Sequence, residues 1–177
     1  MSTSTNLAGD RNLLEHVDPS QVNCLNESTN HTLKSILSRG EPAADAYLVS
    51  DADEELLLNV YFTQKVRLRS IALRTKENEI ASAPKTIKLY INRPAIGFED
   101  VQDSEAEQTF ELSEEDVKSG KQIQLRYVRF QNVNSLHIFV ADNQGGEETT
   151  RIDRIEFYGN LNEGTKDLSA LGKQDDE

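Results

Sequence analysis

The chain has 177 residues, enough for one domain with a core of its own. Its 31 acidic and 19 basic residues leave a formal charge of −12, which opposes docking on a nucleic-acid backbone or an anionic membrane. No stretch approaches the roughly 20 apolar residues needed to cross a bilayer, and MSTSTNLAGD lacks the basic start and apolar run of a signal peptide, so a soluble, intracellular protein is expected.

Residues 1–12 are polar and aperiodic and read as a disordered lead-in. In DPSQVNCLNES, Asp18 suits a cap, Pro19 suits a first helical position, and Val22 and Leu25 fall on one face. That pattern predicts a short helix around Cys24. As the only cysteine, Cys24 excludes an internal disulfide, a CxxC pair or a thiolate metal site within this chain. It reads as a small buried thiol; the alternative, a reactive thiol, needs a base such as His16 or His31. NES at Asn26 and NHT at Asn30 match the glycosylation pattern and, without a secretion signal, are expected to stay unmodified. In TNHTLKSILSRG, Leu33, Ile36 and Leu37 share one side of a helix and Gly40 is placed to end it.

Beyond Gly40 the pattern changes to strands. Seven short runs at 56–62, 66–74, 86–91, 109–112, 122–130, 135–141 and 151–159 are rich in β-branched and aromatic residues and bounded by turn signals. With no amphipathic helix between them, the expected fold class is all-β, an antiparallel β-sandwich with short N-terminal helical segments. Alternation in KVRLRSIALR puts Val66 and Leu68 on one face, but Ile71 and Leu73 have the opposite parity. One extra residue near Ser70, a bulge, restores a continuous apolar face. In IQLRYVRF, Val128 and Phe130 likewise change parity after Ile123, Leu125 and Tyr127, which predicts an irregularity near Tyr127 or burial of both faces.

Residues 99–117 hold nine carboxylates and no base, and read as a solvated loop. Within it LSEEDVKSGK reads as one capped helical turn, with Ser113 as N-cap, Glu114, Glu115 and Asp116 at its positive end, and Gly120 as its stop. A second acidic knot, SDADEE at 50–55, marks where a structural calcium would sit if one were held, although neither run has the ligand spacing of an EF-hand. The sequence carries no GxSxG, P-loop, HExxH or GxGxxG, and His16, His31 and His137 are far apart, so no enzyme, cofactor or metal is expected. His137 reads as a strand histidine satisfied by a neighbour.

LRYVRFQNVNSLHIFVADNQGGEETTRIDRIEFYG at 125–159, with CLNES at 24, LVSDADEELLLNVYF at 48 and PKTIKLYINRP at 84, resembles the PITH domain, the proteasome-interacting module of thioredoxin-like proteins. The resemblance covers about residues 13–161 and leaves 162–177 as a flexible acidic tail. It implies a jelly roll of the galactose-binding-domain-like type. It also implies a noncatalytic module docking on the 26S proteasome regulatory particle, near the lid deubiquitinase subunit, in a cytoplasmic and nuclear monomer. FQNVNSL and NQGGEETTRI are closest to the type fused behind a thioredoxin domain, yet CGPC is missing, leaving a free-standing relative or a C-terminal fragment as alternatives.

Two segments are candidates for partner binding. In DNQGGEE the amides close the turn by bonding backbone, or Asn143, Gln144, Glu147 and Glu148 present donors and acceptors at one end of the sandwich. In the tail, Leu168 and Leu171 lie i, i+3 apart and, with Lys173, form a candidate anchor; LSALGK replaces the aromatic, basic tail of the thioredoxin-like relatives. The competing functions are a carbohydrate or small-ligand binder, from the sandwich class alone, and an enzyme acting through Cys24. Net acidity suggests a basic docking face on the partner.

Overall fold

Residues 10–37 and 45–162 are described by the structure, a computed structural model. In chain order the elements are β1 (Arg11–Asn12), β2 (Asn23–Leu25), α1 (Leu33–Ile36), β3 (Leu48–Val49), β4 (Leu56–Arg74), β5 (Thr86–Ile91) and α2 (Phe98–Asp103). There follow β6 (Gln108–Glu111), α3 (Glu114–Ser119), β7 (Ile123–Gln124), β8 (Val133–Val140), β9 (Arg151–Ile152) and β10 (Arg154–Leu161). Short 3₁₀ segments occupy Leu14–His16, Glu77–Ser82, which is kinked at Glu79, and Tyr127–Arg129. Every strand pair is antiparallel.

The frame of the sandwich is β4, whose 19 residues run through the two strands expected at 56–62 and 66–74. Its intervening residues include no Gly or Pro to break the extension. Its first half lies between β2 and β8, which continues to β5 and β6; its second half lies between β7 and β10, which continues to β1. The ladder with β8 shifts between Tyr61 and Val66, where the strand passes from one group of neighbours to the other. Leu56, Leu58, Val60, Ile87, Leu89, Leu136, Ile138 and Val140 share one core with Leu68, Ile71, Ile155 and Phe157, and Phe62 meets Phe157 edge to face at 6.0 Å. Burial of such side chains contributes about 1.5–3 kcal/mol each.

The bulge lies where the parity change placed it. Tyr158 pairs with Ser70 and Gly159 with Leu68, so Arg69 is the extra residue. Val66, Leu68, Ile71 and Leu73 thereby all reach the core. Gly159 is required there, because a Cβ would overlap the Arg67 carbonyl oxygen.

Several expectations are corrected. The end of the supposed lead-in is ordered, since Arg11 and Asn12 pair with Gly159 and Tyr158. The helix expected around Cys24 is a single turn after Asp18, whose Oδ1 accepts from Ser20 N at 3.0 Å; the chain then extends into β2, where pairing with Leu57–Asn59 satisfies the backbone. The strand expected at 122–130 stops at Gln124. Leu125 and Phe130, of opposite parity, both enter the core because the 3₁₀ turn between them resets the direction, leaving Val128 76% exposed rather than buried. The run at 151–159 divides at Asp153, β9 pairing with β3 and β10 with β4.

The acidic stretch after Glu99 is not all solvated loop. Phe98 and Val101 pack α2 over Leu57, Tyr90 and Phe139 on the far face of the β4–β8–β5 sheet, so that sheet is buried on both sides. Asp100 Oδ2 accepts from Gly97 N at 2.7 Å to start the helix, and Tyr90 donates its hydroxyl to Val101 O at 3.0 Å. α3 forms as expected: Ser113 Oγ accepts from Asp116 N, Asp116 Oδ2 accepts from Ser113 N, and Gly120 ends the helix at φ +70°. In α1, Thr32 is the N-cap, and Leu33, Ile36 and Leu37 are buried as the spacing required; Gly40 lies outside the described residues.

Candidate interaction surface

The DNQGGEE turn hangs from one buried amide. Asn143 Nδ2 donates to Glu147 O (3.0 Å), Thr149 O (3.1 Å) and Thr150 Oγ1 (3.1 Å), and its Oδ1 accepts from Glu147 N at 2.7 Å. Gln144 Nε2 donates to Pro84 O (3.0 Å) and Leu112 O (2.7 Å), tying the turn to the chain entering β5 and to the residue after β6. Gly145 lies so close to Ala81 that a Cβ would come within 2.8 Å of the Ala81 Cβ, and Gly146 takes φ +68°. The Asn143 and Gln144 amides therefore close the turn, while Glu147 and Glu148 face solvent. Leu168, Leu171 and Lys173 lie outside the described residues.

The amide-rich break after Phe130 is held in the same way. Asn92, at φ +58°, accepts from Asn134 N on its Oδ1 at 2.7 Å and donates from Nδ2 to Asn132 O at 2.8 Å. Asn162 adds hydrogen bonds to Gln131 O and to Asn132 Oδ1. Beside it a cleft of 220 Å³ is lined by Tyr61, Asn92, Arg93, Pro94, Asn134 and Ser135. His137 closes the inner end of this region and is fully buried. Its Nε2 accepts from Arg93 N (3.3 Å) and lies 2.9 Å from Ser135 Oγ, which leaves Nδ1 to donate to Asn59 Oδ1 at 2.7 Å. Asn59 Nδ2 in turn donates to Asn23 Oδ1 at 2.9 Å. Burial, joined by the nearby Arg93 charge, holds the imidazole neutral and moves its pKa down from 6.5 to about 4. A neutral imidazole with its hydrogen bonds met is a strut between β4, β8 and the chain after β5.

Cys24 is buried in β2, and burial, reinforced by nearby Glu27, pushes its thiol well above the usual range. Neither candidate base is a perturbing group of the thiol: His16 Nε2 lies 3.4 Å from Glu15, and the His31 ring stacks on Tyr47 at 3.9 Å. Such a thiol is protonated and a poor nucleophile. In the 50–55 knot, Asn26 does the organising work at φ +71°: its Nδ2 donates to Asp53 Oδ1 and Glu55 O and its Oδ1 accepts from Ala52 N. Among the described residues no group of three or more His, Cys, Asp or Glu side chains is placed to hold a metal ion.

Among the described residues the large apolar side chains that stand exposed are Tyr127 and Val128, 40% and 76% exposed on the 3₁₀ turn and not singled out by the sequence, with the Arg69 guanidinium 4.5 Å over the Tyr127 ring. Their signal was the parity break, which a turn satisfies by putting one residue outside. The PITH domain family model matches residues 3–176. The chain belongs to the PITH domain family. Among relatives of this PITH chain, Thioredoxin-like protein 1 of Schizosaccharomyces pombe is 40% identical over 160 residues, covering 89% of this chain and 54% of its own length. Human PITH domain-containing protein 1 is 33% identical over 149 residues, covering 83% and 68%. The chain thus spans about half of the thioredoxin-like relative.

Solved structures similar to this PITH domain include the family 32 CBM from C. perfringens NanJ in complex with galactose, with a TM-score of 0.63 at 9% identity, covering 84% of this chain and 98% of that one. Another is CpGH89CBM32-5 from Clostridium perfringens in complex with GalNAc-beta-1,3-galactose, with a TM-score of 0.60 at 6% identity, covering 83% and 99%. At these identities the likeness shows the fold alone: the PITH sandwich is a jelly roll of the galactose-binding type.

Proposed function

We propose that this chain is a noncatalytic protein-interaction module that docks on the 26S proteasome regulatory particle, near the lid deubiquitinase subunit, as a cytoplasmic and nuclear monomer. The observation that carries the reading is the PITH family match across residues 3–176, joined to the 40% identity with a thioredoxin-like protein. The site chemistry supports it: the one thiol is buried and protonated, and the buried imidazole is neutral and fully bonded. Glu147, Glu148 and the tail residues Leu168, Leu171 and Lys173 are the proposed contacts.

The test is capture of partners from cell extract on the immobilised 177-residue chain, with mass spectrometry of what is retained. Regulatory-particle subunits, reduced by deletion of 163–177, are the expected result; retention of none of them overturns the reading, and retention unaffected by the deletion removes the tail from the contact. A second reading, carbohydrate binding, is favoured by the 220 Å³ cleft, where Tyr61, Arg93 and Asn134 offer an aromatic wall and polar groups. A glycan array checks it, followed by thermal unfolding with the best sugar, which raises the midpoint if binding is specific.

A further inference from the structure

The net charge of −12 hides an uneven distribution. On the face of the β4–β10 ladder turned away from the core, a cavity of 380 Å³ has Ala72 and Gly120 among its lining residues, with Arg74, Lys118 and Arg154 around it and one carboxylate, Glu156. Arg74 and Arg154 stand directly opposite each other in the antiparallel register. Like charges in that position oppose folding. Neither arginine is held in an ion pair among the described residues: Glu156 accepts the Tyr158 hydroxyl at 2.7 Å, and Arg74 Nε donates to Lys118 O at 3.4 Å. Lys118 Nζ is 3.9 Å from Glu77, at a loose, exposed pair. Gly120 keeps the rim open: at φ +70° any side chain is strained, and its Cβ would already touch the Arg74 side chain at 3.5 Å.

We propose that this cavity is a docking site for the carboxylate side chains of an acidic peptide segment, with Arg74 and Arg154 as a paired guanidinium fork and Lys118 as the third cation. This is the reverse of the docking polarity that the net charge suggests, and it does not rest on the identity of the partner. A buried apolar anchor does not suit walls made of cations. α3 meets the cavity at its carbonyl end, beside Lys118 O, and that partial negative charge opposes a phosphate dianion more than a singly charged carboxylate. A carboxylate pairs with planar guanidinium groups through two parallel hydrogen bonds and asks for no backbone cradle. The acidic stretch from Glu99 to Asp116 repels the same peptide elsewhere on the surface and so orients it.

The test uses the full 177-residue chain and a fluorescein-labelled decapeptide of alternating Asp and Glu, followed by anisotropy at low and high salt and by amide chemical-shift changes. Saturable binding is expected, weakening with salt, with shifts centred on residues 72–74, 118–120 and 154–156. Arg74→Gln and Arg154→Gln together are expected to weaken it about tenfold or more, and Arg154→Lys less, because it retains charge without the fork. Lys34→Gln, which removes one positive charge on α1, is expected to leave binding unaltered. The urea midpoint of Arg154→Gln, equal to or above that of the parent, reports that the unrelieved pair opposes folding. The proposal is overturned by absence of saturable binding, by equal loss with Lys34→Gln, by equal binding of an oligo-lysine decapeptide, or by inorganic phosphate saturating the same amides at lower concentration than the peptide.

Discussion

Replacing Asn143 by alanine separates two roles for the DNQGGEE turn, closure and recognition. The side chain makes four hydrogen bonds from a position that is 4% exposed. Glu147 is exposed, so its N–H and C=O recover water and their loss costs little. Thr150 is fully buried, and its hydroxyl also donates to Glu54 O at 2.6 Å, so its lost partner and that of Thr149 O cannot be replaced freely. Two under-satisfied acceptors at about 1–2 kcal/mol each give a destabilisation of about 3 kcal/mol. Urea unfolding followed by circular dichroism is expected to show this as a midpoint lowered by about 1–2 M with the slope unchanged. Glu148→Gln in the same turn is expected to stay within about 0.5 kcal/mol of the parent. A loss below about 1 kcal/mol for Asn143→Ala would refute the reasoning, because water would then be shown to replace the amide. Asn143→Ala that keeps its stability but loses partner capture would assign the amide to recognition instead.

Other outcomes follow from the same structure. His137 is neutral in the fold with a pKa of about 4 against an ordinary 6.5, so the unfolded chain binds the extra proton between those values; its contribution, about 3 kcal/mol, is complete above pH 6.5, falls as the pH drops and is gone below about pH 4. The pH dependence of unfolding in His137→Gln is expected to lack that component, and identical curves in both proteins would remove the imidazole from it. Gly159→Ala is expected to destabilise by more than about 4 kcal/mol, since the added methyl overlaps the Arg67 carbonyl and the bulge must reopen; thermal unfolding within a few degrees of the parent contradicts this. Cys24 is expected to react with a disulfide reagent only on unfolding, at the urea midpoint rather than before it, because burial holds the thiol protonated and covered. Fast labelling in buffer would show the opposite.

Local pattern in the sequence was enough for the strand class, for the α3 cap at Ser113 and stop at Gly120, and for the extra residue beside Ser70, because each is written in the parity or spacing of near neighbours. Sequence alone also bounded the chemistry of Cys24, a single thiol in a chain without partners for it. Only the tertiary structure decided what competing local signals became. Val22 and Leu25 share a helical face on paper, yet the edge of β4 offered backbone pairing that a lone turn could not match, and β2 formed. Phe98 and Val101 sit at and in an acidic run that reads as loop until the ring of Phe139 and the side of Tyr90, on the outer face of the sheet, supply something to cover. The Arg74–Arg154 pair is invisible in the chain, since neither residue has a local reason to matter; register brings them together. Periodicity acts over a few residues, whereas burial and charge depend on which strands become neighbours, and that choice belongs to the whole core at once.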